Sequence, residues 1–231
     1  MKKVVFLLIS FFMIVSFAMA KGTYTTQSGI EMDKDNYKRL CEIYSKGYIE
    51  TLTIDEYNTL MEDNLEHVQK VTHTPTRGDF YGDLYKEISI VKNGSLVTLT
   101  AYWDAIPAVN SYDVIAIRRG SGVSTSNHNF KQIYKSGGNY YTIYNGNYQS
   151  FTNGYGYSAL LHSGTDQEYV MTFKVSGSGY VFGSYQHATS NVTLNQSKNY
   201  TLSSSGYGGV ILFDSSVASY YDAMYGVDLY F

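Results

Sequence analysis

The stretch Glu87-Ile88-Ser89-Ile90-Val91-Lys92-Asn93-Gly94-Ser95-Leu96-Val97-Thr98-Leu99-Thr100-Ala101-Tyr102-Trp103 decides the fold class. Two β-prone runs flank Asn-Gly, the dipeptide that suits a type I′ turn, so the segment predicts a β-hairpin. Downstream, Tyr169, Met171, Phe173 and Val175 alternate against Val170, Thr172 and Lys174, the period of a strand. Further short runs follow at Ser111 to Arg118, Tyr140 to Tyr144, Tyr155 to His162, Tyr180 to His187, Asn191 to Leu194, Asn199 to Leu202, Val210 to Phe213 and Val227 to Phe231. Gly, Asn and Ser separate them, and no helix-length pattern intervenes to demand a parallel sheet. The expected fold is mainly β: a single antiparallel β-sandwich or jelly roll of roughly ten strands over residues 81–231, preceded by a short helical hairpin.

Upstream the pattern changes. Tyr37, Leu40, Cys41 and Tyr44 share one helical face, and Gly47 suits the end of that helix. Thr53-Ile54-Asp55-Glu56 is a capping box that opens a second helix, with Tyr57, Leu60, Met61 and Leu65 as its apolar stripe. Residues 30–68 thus predict a helical hairpin, residues 21–29 a disordered lead and residues 69–80, with Pro75 and Gly78, a linker. Leu40, Gly47-Tyr48-Ile49, Thr53, Glu56-Tyr57 and Leu60, over about residues 37–62, resemble the SHOCT motif. Glu50-Thr51-Leu52 is an insertion relative to its turn. That resemblance implies a docking or self-association element and no activity.

Residues 1–20 carry Lys2-Lys3, an apolar run from Val4 to Phe17 and Ala18-Met19-Ala20 before Lys21. A basic start, an apolar core and a small-x-small site predict a secretory signal peptide and a secreted or envelope-located mature chain. Loss of Lys2 and Lys3 moves the formal charge from −3 to −5, which speaks against a nucleic-acid partner. The lone Cys41 cannot form an internal disulfide, and an exported β-domain without disulfides points to a bacterial source. In such a source the sequons at Asn93, Asn191, Asn195 and Asn199 carry little meaning.

Catalytic signatures are absent. Ser89-Ile90-Val91-Lys92 matches S-x-x-K, yet alternation puts Ser89 and Lys92 on opposite strand faces. His67, His73, His128, His162 and His187 show no metal-ligand spacing, although His162 and His187 end separate predicted strands. Asp33-Lys34-Asp35-Asn36 lacks the glycine and glutamate of a calcium loop and reads as helix capping. Asp104, Asp113 and Asp166 sit where turns and strand ends expect aspartate. No motif implies a cofactor.

Tyrosine is the compositional outlier, with 25 Tyr against 11 Phe and 1 Trp. Its densest run is Asn139 to Tyr157. Aromatic rings beside amides are what a carbohydrate site uses, for stacking on sugar C–H faces and for forking onto hydroxyls. The candidate ligand-binding residues are Tyr140, Tyr144, Tyr148, Tyr155, Tyr157, Asn145 and Asn147. Because Ile143 favours the core, alternation turns Tyr141 inward and Tyr140 and Tyr144 outward, with Tyr155 and Tyr157 sharing a face. The leading expectation is a non-enzymatic exported protein that binds a glycan or another cell-surface ligand. The alternative is a membrane-active protein, either an outer-membrane barrel or a secreted pore-former. Gly226-Val227-Asp228-Leu229-Tyr230-Phe231 resembles the terminal strand of such barrels. A jelly-roll hydrolase or lyase is the third, and its mark would be a cleft where two carboxylates, or a His and an acid, converge.

Overall fold

A computed structural model describes residues 22–63, 65–74, 86–104, 106–204, 209–222 and 225–231. The expected signal segment 1–20 and residues 75–80 of the expected linker lie outside them. The chain begins with the strands β1 (Thr23–Thr25) and β2 (Glu31–Asp33), followed by the helices α1 (Lys34–Ile43), α2 (Lys46–Glu50) and α3 (Ile54–Met61). Then come β3 (Gln69–His73), β4 (Lys86–Asn93), β5 (Leu96–Trp103), β6 (Tyr112–Arg119), β7 (Val123–Ser136), β8 (Asn139–Ile143), β9 (Asn147–Phe151), β10 (Gly154–Leu160), β11 (Thr165–Gly177) and β12 (Tyr180–Gln186). A one-turn α4 (Leu194–Ser197), β13 (Tyr200–Leu202), β14 (Ile211–Phe213) and β15 (Tyr225–Tyr230) follow, with short 3-10 turns at Leu65–His67 and Ala218–Tyr220.

Among the described residues the strands form two main antiparallel sheets. One has the order β3-β4-β5-β11-β7-β8 and the other β15-β12-β6-β10-β9. They stack as the expected sandwich, and Ile90, Leu99, Ile115, Ile117, Met171, Phe173 and Val181 fill the space between them. The Gly226 to Phe231 segment that resembles a barrel terminus is the edge of the five-stranded sheet, with Val227 and Leu229 buried in this core. Among the described residues no helix is long and apolar enough to cross a membrane.

Both outer faces of the sandwich are covered as well. Leu40, Ile43, Tyr48, Ile49, Leu52 and Leu60 from the helical layer pack on Val91, Ile133 and Val170 of the six-stranded sheet. Val192, Tyr200, Val210, Ile211 and Tyr221 cover Val114, Ala116 and Phe182 of the other sheet. The molecule therefore has four layers and three apolar seams, and β11 feeds two of them: Tyr169, Met171 and Phe173 face one core while Val170 faces another.

Several local expectations meet the structure directly. The Thr53–Glu56 capping box is closed in both directions, at 3.2 and 2.8 Å. Asp33 caps α1 by accepting from the amides of Asp35 and Asn36. The β4–β5 hairpin forms one residue later than expected: Asn93 pairs with Leu96, so the loop is Gly94-Ser95. Gly94 takes φ +55 and Ser95 does not, the signature of a type II′ turn. The Asn93 side chain is committed elsewhere, donating to the Leu60 carbonyl at 2.8 Å and tying the hairpin to α3.

Other boundaries are corrected. Gln69–His73 of the expected linker is an edge strand paired with β4. Within the expected disordered lead, residues 22–29 are ordered by β1 pairing with β2, and by Gln27, whose side-chain amide donates to the Tyr140 carbonyl at 2.6 Å and accepts from the Tyr140 N–H at 2.8 Å. The first helix stops at Ile43 rather than Gly47. Gly47 lies inside α2 and is buried, because a side chain there would run into Glu168.

Candidate functional site

The tyrosine-rich run does not form an outward platform. Tyr140 is only 8% exposed, while Tyr141 is 46% exposed, the reverse of the expectation. The reason is the helical layer: the face of β8 that carries Tyr140 lies under it, so the side of the sheet away from the sandwich is not solvent. Ile143 sits at the sheet edge, half-buried, and does not mark an interior face. Tyr155 (3% exposed) and Tyr157 belong to the sandwich core, where they contact Phe173 and Phe130. Asn145 and Asn147 donate their amides to the carbonyls of Leu160 and Ser158, both at 3.3 Å, which is structural work. Of the expected tyrosines, Tyr144 and Tyr148 remain exposed.

Tyr140 instead points into a cleft of about 430 Å³ between the α1–α2 junction and the outer face of the six-stranded sheet. Strand register builds its floor. Glu87, Tyr102 and Glu168 lie in one row across β4, β5 and β11, and Lys135 pairs with Tyr140 across β7 and β8. Alternation puts all of them on the same face. A bulge in β11 between Thr165 and Glu168, with Asp166 in the left-handed region at φ +46, brings a third carboxylate into this cleft. Asp166 accepts from the hydroxyls of Tyr102 and Tyr140, each at 3.3 Å, and from Lys135 Nζ at 3.1 Å. Burial, helped by the nearby Asp166 charge, pushes both tyrosine hydroxyls upward, so they stay protonated donors. From the helical side, Tyr44, Ser45 and Lys46 close the cleft, and the half-buried Cys41 lies at its margin.

Glu168 is the decisive group. Its side chain is fully buried, and Oε2 accepts from Ser45 Oγ at 2.6 Å. Its other oxygen, Oε1, meets no partner at hydrogen-bond geometry among the described residues. Desolvation pushes this carboxyl up to about 7, against the lowering effects of Ser45, the nearby Gly47 amide and Lys131. Glu50, another buried acid, shows the contrast. It accepts from Tyr24 OH, Tyr37 OH and the Gln27 amide at 2.6 to 2.9 Å, and although desolvation opposes them, these donors hold it below the usual range. Buried polar atoms are nearly always paired; Oε1, closed to solvent behind the cleft wall, has the nearby Gly47 backbone close to it.

His162 and His187, which end separate predicted strands, do not meet. His162 stacks on Tyr134, and His187 meets Trp103 and Asp113 elsewhere.

No family model matches the chain, and no curated protein matches it. Among solved structures it is similar to the KRT10-binding region domain of the pneumococcal serine rich repeat protein PsrP. That likeness has 13% identity and a TM-score of 0.31, covering 52% of this chain and 84% of that one. At this level it carries no argument about ligand or role.

Proposed function

We propose that this chain is an exported binding protein whose ligand is a saccharide, or another uncharged polyhydroxylated molecule, held in the cleft beneath the helical layer. The observation that carries the reading is the cleft of about 430 Å³ itself, where the rings of Tyr44, Tyr102 and Tyr140 stand beside Ser45, Asp166 and Glu168. Hydroxyl groups answer such a wall because each both donates and accepts. Lys46, Lys70 and Lys135 stand against Glu87 and Asp166, with Glu168 ionised only above about 7, so the lining carries little net charge and suits a neutral ligand. Export rests on the Met1 to Ala20 signal, and docking or self-association is assigned to the outward side of the SHOCT-like helical layer.

A glycan array followed by calorimetry on the hits tests the reading. Glu168→Leu removes the carboxyl from the cleft wall and should weaken binding by about 0.5–1.5 kcal/mol, the worth of an ordinary hydrogen bond. Gly47→Ala should also weaken binding, since its Cβ would stand 2.4 Å from Glu168 Oε1 and 3.1 Å from the Tyr140 ring and so displace both. An array without hits, or hits that both variants bind like wild type, would remove this cleft as the site.

One observation favours hydrolysis as a second reading. Glu168, which holds its proton up to about 7, shares the cleft with Asp166, an arrangement of two carboxylates in unlike environments. Turnover of an array hit, abolished by Glu168→Gln and by Asp166→Asn, would move the protein from binder to glycosidase.

A further inference from the structure

Residues Lys86 and Trp103 are neighbours of Glu87 and Tyr102 and pair with each other across β4 and β5. Alternation turns Trp103 the other way, into the sandwich core, so these strand ends also line a second cavity at one end of the sandwich. It measures about 240 Å³ and is walled by Trp103 and by Pro107, Ala108 and Val109 of the β5–β6 loop. Its polar side is His187, Lys86, Asp222 and Thr189.

The polar side is built with care that packing alone does not need. Asp113, fully buried at the start of β6, accepts from the Tyr185 hydroxyl, from the Ala188 amide at 2.9 Å and from His187 Nδ1 at 2.9 and 3.0 Å. Asp222 accepts from the His187 amide at 3.0 Å and from Lys86 Nζ at 2.9 Å. Lys86 lies 3.8 Å from the centre of the Trp103 ring, and the His187 ring stands edge-on to the same indole at 4.4 Å. Main chain and Nδ1 of His187 are thus both anchored, and its tautomer is set by a buried carboxylate. Nε2 makes no hydrogen bond among the described residues, although its ring lines the cavity.

We propose that this cavity is a second ligand site, for a small uncharged ring compound carrying one hydroxyl. The ring lies against Trp103 and the Pro107 to Val109 wall, and the hydroxyl meets His187 Nε2. A cavity of this size suits a single substituted ring, since an apolar cavity of about 150 Å³ is enough for benzene. With Nδ1 committed to Asp113, Nε2 accepts in the neutral imidazole and donates in the protonated one, and a hydroxyl satisfies either state. A charged ligand is disfavoured because Asp222 already neutralises Lys86.

Trp103 is the chain's single tryptophan, so its fluorescence reports on the cavity directly. The test titrates 4-methylphenol and, separately, toluene into the mature chain. Wild type should give a saturable change with both, and 4-methylphenol should bind about three- to tenfold tighter, the worth of one ordinary hydrogen bond. His187→Phe should keep toluene binding and lose the preference. Val109→Phe, which leaves the Asp113–His187 contact untouched, should weaken both ligands. No saturable change in wild type, a preference that survives in His187→Phe, or unaltered binding in Val109→Phe would each overturn the proposal. Loss of the cleft's saccharide binding would leave these outcomes as they are.

Discussion

Replacing Glu168 by Gln isolates the free energy of ionising a carboxyl inside the cleft. The folded chain holds that proton up to about 7, against 4.5 for an ordinary glutamate. At about 1.36 kcal/mol per pH unit, the difference amounts to about 3 kcal/mol. The sign follows from proton counting. Below the unfolded value both states are protonated and the full stability is present. As pH rises toward 7 the unfolded chain ionises while the folded chain does not, so stability falls. Above the folded value the loss is complete. Glutamine cannot ionise, so Glu168→Gln should match wild type near pH 4.5 and exceed it by about 3 kcal/mol near pH 9. For a chain of this size that is about 6–12 °C in Tm. Urea unfolding of both proteins at pH 4.5, 7 and 9 measures it. Stability curves that run parallel across this range would refute the reasoning, because the carboxyl would then pay no desolvation cost. A hydroxyl ligand donating to the Glu168 carboxyl favours the ionised form, so its binding near pH 6.5 should release protons, visible as a buffer-dependent heat.

Burial also separates the tyrosines. Tyr155→Ala should cost about 3–5 kcal/mol, as for other buried aromatics, whereas Tyr144→Ala should stay within about 0.5 kcal/mol; equal losses in chemical denaturation would contradict the placement of the two rings. Tyr155→Phe should leave stability unchanged or raise it by about 1 kcal/mol, because the Tyr155 hydroxyl is buried without a partner. Removing residues 22–68 uncovers Val91, Ile133, Tyr140 and Val170, so the truncated chain should aggregate or bind a hydrophobic dye; a soluble monomer with an intact β-spectrum would show that the helical layer is dispensable.

What could be read from the sequence was local. The β4–β5 hairpin, the alternation of β11 and the Thr53 cap depend on residues a few positions apart, and each is present. Even there, the turn lies one residue later than expected, with the Asn93 side chain tied to Leu60, a contact no short window contains. Alternation sorted Tyr140 from Tyr141 but could not say which side would be covered, since the cover is a helical layer a hundred residues away in sequence. Glu168 escaped notice for the same reason: within β11 it is an acid at a strand end, and only the Ser45–Gly47 turn makes it an orphan. Asp113 looked like a turn aspartate and His187 like a strand terminus. Their meeting needs β6 and β12 to be neighbours, which is a property of sheet order and not of either segment.

The pairing of Gln27 with Tyr140 has a consequence for how molecules of this protein meet one another. β8 is the outermost strand of its sheet, and such strands expose main-chain groups that another chain can extend. Gln27 offers one N–H and one C=O at the spacing of a peptide unit, and both are taken by the same residue. The sheet therefore ends on a side-chain imitation of backbone. A strand from a second molecule would have to displace that amide before it could pair with Tyr140 on this edge.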